Sequence, residues 1–251
     1  MTSQEFVDKL VDIATNYKTL YVYGCFGAPL NKKNKARYKN NNDYNRDATR
    51  QAMIDKASAD TFGFDCVCLI KGILWGWNGN KNKTYGGATY LSNCVPDIGA
   101  DSMMNRYCAE SSTDFTTIKV GEAVWMSGHI GVYIGNGKVV ECTPKWDNCV
   151  QITNLGNTGK HEGHWRNWKK HGFLPWVDYT EKTVTPELPK VEEKVTKNLI
   201  GTREYKVKKG DTLTKIASRY GTTVDKIVSD NKARLPRLTA NFICVGWLLY
   251  V

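Results

Sequence analysis

The chain lacks most marks of membrane, secreted and metal-dependent proteins. No uncharged apolar run reaches the about 18 residues needed to cross a bilayer as a helix, so membrane insertion is not expected. The opening stretch MTSQEFVDKLVDIATNYKTL carries acidic residues and no basic-then-apolar order, which speaks against a secretory signal peptide. Histidine is scarce, with 4 in the chain, and no Cys-x-x-Cys pair occurs. His161-Glu162-Gly163-His164 spaces its histidines three apart rather than the four of a metalloprotease helix. Cys142, Cys149, His161 and His164 have no regular zinc spacing, so neither a metal nor an organic cofactor is expected. The 8 cysteines are even in number, but without a leader peptide reduced thiols are the default. No long internal repeat is visible.

What is present is a globular composition, 41% hydrophobic and 24% charged, over 251 residues. The formal charge of +10 is uneven: residues 1–180 carry +4, 181–202 none, and 203–251 carry +6. A small basic module suits an anionic surface, such as a cell wall, a membrane or nucleic acid. No nucleic-acid recognition motif accompanies the charge, so no nucleic-acid partner is expected. The segment TEKTVTPELPKVEEKVTKNLIG, with two prolines, alternating charge and no aromatic residue, reads as a linker over 180–202. It separates a domain at 1–179 from a minimal one at 203–251.

Phe6, Val7, Leu10, Val11 and Ala14 fall at helical spacing. The Asn-rich basic stretch 31–46 reads as a solvated surface insertion, or a loop at a cleft rim. Asp65 precedes an apolar run, which predicts a capped, buried helix starting at Cys66. Glu122–Met126, His129–Ile134 and Lys138–Cys142 predict strands with an Asn136-Gly137 hairpin turn, and a further strand is expected over Gly172–Val177. Helices followed by antiparallel strands define an α+β class.

A cysteine at a helix start sits where first-turn amides and the helix dipole stabilise a thiolate, so Cys66 is the candidate nucleophile with a lowered pKa. The alternative is a small core residue. His129, at the mouth of a strand, is placed to take a thiol proton and return it to a leaving amine. A two-residue turn pairing Gly135 with Lys138 puts His129 opposite position 144, close to Glu141, whose carboxylate can orient the imidazole.

Three blocks in this order, Tyr21-Val22-Tyr23-Gly24, Gly63-Phe64-Asp65-Cys66 and Gly128-His129-Ile130-Gly131-Val132-Tyr133-Ile134-Gly135-Asn136-Gly137, resemble the NlpC-type papain-like peptidoglycan peptidases. Gly121-Glu122-Ala123-Val124-Trp125 fits that family's preceding strand. The resemblance implies a papain-like domain, Cys66 as nucleophile, His129 as base and Glu141 as orienting residue. It also implies that Tyr21 joins the Cys66 amide in holding the oxyanion. The chain departs from the pattern at Val67-Cys68, at Cys25, in a long insertion before Gly63, and at Glu141, where many members carry histidine. A carboxylate there is nearer the related CHAP group.

Beyond the linker, Tyr205 and Val207 alternate as a strand, Asp211 is placed to cap a helix ended by Gly221, and Val224–Asn231 follows a Thr N-cap. Ile243–Val251 closes a βααβ unit. Gly210-Asp211-Thr212-Leu213 and its downstream spacing resemble a LysM module, which implies binding of N-acetylglucosamine-containing glycans. The groove would involve Gly210, Asp211, Thr212, Leu213 and Asn231. The combined expectation is a monomeric, phage endolysin-like peptidoglycan hydrolase, made in the host cytoplasm and acting on the wall. It would cut a stem-peptide amide by a Cys-His-Glu mechanism. The alternatives are a CHAP-like N-acetylmuramoyl-L-alanine amidase and a non-catalytic wall-binding protein.

Overall fold

The computed structural model describes residues 1–159, 161–180, 204–208, 210–232, 235, 238–240, 243–244 and 246–251. The chain divides into two compact units, Met1–Thr180 and Glu181–Val251. Apart from Thr180, the expected linker at 180–202 lies outside the described residues, as do residues 233, 234, 236 and 237.

Helix α1 (Ser3–Asn16) starts at a capping box: Glu5 N–H donates to Thr2 Oγ1 at 3.1 Å, and Thr2 N–H to Glu5 Oε2 at 2.8 Å. Its buried stripe is Phe6, Val7, Leu10 and Ile13. Strands β1 (Thr19–Tyr21) and β2 (Phe26–Pro29) follow. The polar stretch 31–46 is not a loop. It forms α2 (Lys32–Lys39) and α3 (Asp43–Arg46), and α4 (Ala48–Lys56) comes next. Asn31, Asn42 and Asp47 each accept first-turn amides, so the asparagines that read as loop composition serve as N-caps. Strand β3 (Phe62–Phe64) then joins β1 in parallel and β2 in antiparallel pairing.

Helix α5 (Cys66–Leu74) begins where expected and is buried along its whole length. A short turn α6 (Ala100–Ser102) leads to β4 (Ala109–Ser112), β5 (Ala123–Met126), β6 (His129–Gly135), β7 (Lys138–Thr143), β8 (Cys149–Leu155), β9 (Trp165–Arg166) and β10 (Lys170–Phe173). These seven strands form one sheet in the order β4-β10-β5-β6-β7-β8-β9, antiparallel except at β8–β9. The last strand starts two residues ahead of the expected Gly172–Val177 and overlaps it only at Gly172 and Phe173, short of Pro175, which has no N–H for the ladder.

The β6–β7 turn has positive φ at Asn136 (51°) and Gly137 (67°), as a two-residue hairpin turn requires. Gly135 pairs with Lys138 as expected, but a bulge then pairs Tyr133 with Val139 and Val132 with Val140. The bulge moves the register by one from the expected hairpin. One sheet face packs Ile130, Val132, Val140 and Cys142 against Phe6 and Leu10 of α1 and Leu69, Ile70 and Ile73 of α5. Val124, Val139, Leu155, Trp168 and Phe115 form a second core on the other face, as strand alternation dictates.

The second unit contains β11 (Glu204–Lys206), α7 (Leu213–Tyr220), α8 (Val224–Asn231) and β12 (Leu248–Tyr250), with β11 and β12 antiparallel. Thr212, not Asp211, caps α7, accepting Lys215 N–H at 3.2 Å. Asp211 instead accepts Lys208 N–H at 2.7 Å and the Tyr205 hydroxyl at 2.6 Å. Gly221 ends α7 at φ 65°, and Thr223 caps α8. Among the described residues of the expected Ile243–Val251 strand, Leu248–Tyr250 are extended and paired.

Candidate active site

Two of the sequence blocks are stitched together at the start of α5. Val22 N–H donates to the Phe64 carbonyl at 2.7 Å, and Asp65 N–H to the Cys25 carbonyl at 3.1 Å. The Asp65 carboxylate accepts Gly24 N–H and Cys68 N–H, each at 2.7 Å. Asp65 therefore caps the helix and anchors the Tyr-Gly turn beside Cys66.

The third block arrives on β6. Its Ile130 packs in the same core cluster as Cys66, and the Ile130 main chain acts to lower the thiol pKa. The Ser127-Gly128 turn ahead of His129 is held by Asp101, whose Oδ1 accepts Gly128 N–H and Trp125 Nε1–H, each at 2.8 Å. His129 Nε2 lies 2.6 Å from Glu141 Oε2. An ionised carboxylate only accepts, so Nε2 carries the proton and Nδ1 remains for another partner. The imidazole stacks on Trp168, with ring centroids 5.4 Å apart and planes 14° off parallel. Gly131 makes that stack possible: a Cβ there would lie 2.9 Å from Val139 Cγ1 and 3.2 Å from the Trp168 ring.

Glu141 is fully buried. Its Oε1 accepts the Thr153 hydroxyl at 2.7 Å and Arg166 Nε–H at 3.1 Å, and Arg166 Nη2 lies 2.7 Å from Oε2. Burial alone would raise its pKa, but the His129 hydrogen bond and charge together with the Arg166 guanidinium hold it below the ordinary value. The Arg166 guanidinium also lies 4.9 Å from the Trp146 ring and 5.5 Å from the Trp168 ring.

The thiol contradicts one expectation. Burial and the Asp65 carboxylate push Cys66 up to about 12, although main-chain hydrogen bonds from Ile130, Val67 and Cys66 act the other way. A capping carboxylate offsets the dipole that was expected to lower it. Tyr21 is buried at the end of β1, and burial and the charges of Cys66 and Asp65 raise its pKa, so it stays a neutral donor. Arg50 of α4 packs over its ring at 5.6 Å and donates to its carbonyl. Asn45 of α3 donates to the Tyr23 carbonyl at 2.9 Å and accepts Tyr23 N–H at 3.1 Å. The insertion thus clamps the Tyr-x-Tyr block rather than merely rimming it.

Arg166, Thr153 and Asp101 were not legible in the sequence. Arg166 is distant from every motif, and only strand pairing brings it to Glu141. Cys25 and Cys68 are buried, with Cys25 pushed up to about 12 and Cys68 well above the ordinary value, mainly by desolvation. Cys25, Cys66, Cys68, Cys108, Cys142 and Cys149 are free thiols. Among the described residues, no cluster of three or more His, Cys, Asp or Glu side chains is arranged to hold a metal.

In the second unit, Gly210 and Thr212 are exposed and Asp211 half-buried, while Leu213 and Asn231 are buried. Leu213 belongs to the core. Asn231 Nδ2 donates to the Ile227 and Tyr250 carbonyls at 2.8 Å, and its Oδ1 accepts Tyr250 N–H at 2.9 Å. These two side chains are buried and hold the module together.

Residues 205–249 match the family model for the LysM domain. The second unit therefore carries a peptidoglycan-binding module. No curated protein matches the chain.

Proposed function

We propose that the Met1–Thr180 unit is a papain-like cysteine hydrolase of the NlpC type, and that its tethered LysM module holds it on N-acetylglucosamine-containing glycan. The reading rests on two observations: the 2.6 Å His129–Glu141 pair on β6 and β7, and a cysteine at the start of α5 in the same core cluster as Ile130, the residue after His129. Cys66 transfers its proton to His129 Nδ1 as its sulfur attacks a stem-peptide carbonyl. The Cys66 main-chain amide and the Tyr21 hydroxyl hold the oxyanion. His129 then protonates the leaving amine, giving an acyl-enzyme that water hydrolyses with the same histidine as base. Because the thiol resists ionisation, it loses its proton to His129 only as the sulfur attacks, and Glu141 supports the imidazolium that forms in that step. The tether raises the effective substrate concentration.

Wild type and Cys66→Ala, digested side by side against Gram-positive peptidoglycan with a chelator present, test this by mass spectrometry of released fragments. Stem-peptide cuts absent from the variant are expected. The carboxylate at position 141 favours one second reading, a CHAP-like amidase, which would release intact stems from bare glycan. No cleavage of any wall type by wild type would overturn both readings and leave a wall-binding protein.

A further inference from the structure

Beside the candidate dyad lies an open groove of about 470 Å³, lined by Met126, Lys145, Trp146, Trp165, Arg166 and the main chain around Gly163. That volume is in the range of small-ligand pockets. Two of its lining residues adjoin the His129–Glu141 pair. Met126 pairs with His129 across β5 and β6, and Arg166, in the groove wall, holds Glu141.

Its chemistry is aromatic and cationic. Trp165 leaves 47% of its surface exposed, unusual for so large an apolar group. Trp146 is stacked on His164 at 4.8 Å and 10°, and the Lys145 ammonium lies 4.5 Å from its ring centre. Arg166 is neutralised by Glu141. Among the described residues Lys145 has no carboxylate within salt-bridge distance, so its charge faces the groove unopposed. The rim carboxylate Asp147 lies 3.9 Å from His164 Nδ1 instead.

We infer that this groove is a substrate subsite for a short, carboxylate-bearing peptide segment next to the scissile amide. Trp146 and Trp165 hold its aliphatic part, and Lys145 binds its carboxylate. The inference rests on the hydrolase reading above for its place in the reaction, but its binding half is separable. An aromatic wall buries methylene groups, and an unpaired ammonium selects an anion over its amide.

The test uses the full chain with Cys66→Ala, so nothing is cleaved, and sugar-free synthetic stem peptides, so the LysM module does not contribute. Tryptophan fluorescence reports binding. The free-carboxylate peptide is expected to bind about tenfold more tightly than its amidated form, and Lys145→Met to erase that difference. Trp165→Ala is expected to weaken both peptides. In the otherwise wild-type enzyme, both substitutions act mainly on KM rather than kcat, and Lys9→Met, on exposed α1, is the control. Equal affinity for the two peptides, or unchanged binding in both variants, overturns the subsite. Lys145-dependent binding with no cleavage by wild type supports the subsite and overturns the hydrolase reading instead.

Discussion

Replacing Arg166 by methionine removes two bonds to a fully buried carboxylate, at 3.1 Å to Oε1 and 2.7 Å to Oε2. Stranding one partner of a buried pair costs about 3–5 kcal/mol. His129 and Thr153 remain on Glu141, and the Arg166 side chain is 15% exposed, so the low end applies, about 3 kcal/mol. In a unit of this size that lowers the thermal midpoint by about 9 °C. The second consequence is electrostatic. Glu141 is held below its ordinary 4.5, so its contribution to stability is complete above that pH and is lost as pH falls through the folded value. Without the guanidinium, burial is less opposed, the carboxyl pKa rises, and the acid limit of stability, with that of the proposed hydrolysis, moves to higher pH. Arg166→Lys retains a charge but not the two-pronged geometry, and falls between. The assays are calorimetry and a pH profile of peptidoglycan hydrolysis. A lowered midpoint with an unmoved acid limb would refute the argument, because it would make Arg166 a packing residue only.

Tyr21→Phe removes the proposed oxyanion donor while keeping the ring under Arg50, and on the hydrolase reading kcat is expected to fall about a hundredfold with KM little changed; an unchanged kcat removes Tyr21 from the mechanism. Cys25, Cys66 and Cys108 are pushed up to about 12 and Cys149 to about 11, chiefly by burial, from an ordinary 9.0. Their neutral thiols favour the folded state fully below about pH 9, and that preference is lost as pH rises through the folded values. Thermal scans in alkaline buffers should therefore show a midpoint falling from about pH 9 upward, and a flat profile would contradict the buried-thiol arrangement. Asn231→Ala leaves Tyr250 N–H and two carbonyls without their buried partner, at a cost of about 3 kcal/mol in a very small module. Wall binding should vanish together with the module's folded signal by NMR; loss of binding by a module that remains folded would return Asn231 to the glycan-contact role.

How much of this was readable in advance depended on range. The capped α5 helix, the Asn136-Gly137 turn and the α7–α8 pair are local features, set by residues within a few positions of one another, and they stand where capping and periodicity put them, apart from the α7 cap, which is Thr212 rather than Asp211. Cys66, His129 and Glu141 were singled out for the same reason, each at the end of a legible element. The Asn-rich stretch was misread because asparagine composition is the same in loops and in N-caps, and only the burial of Asn34, Tyr38 and Asn45 separates the two. The hairpin register slipped by one because nothing local marks the bulge before Gly135. By itself, then, the sequence determined the elements, the motif blocks and the basic terminal module. Only the tertiary structure decided that Arg166 and Thr153 hold Glu141, that Trp168 backs His129, and that Asp65 and burial raise the Cys66 thiol. Those relations join residues far apart in the chain through strand pairing and desolvation, and neither is written in local order.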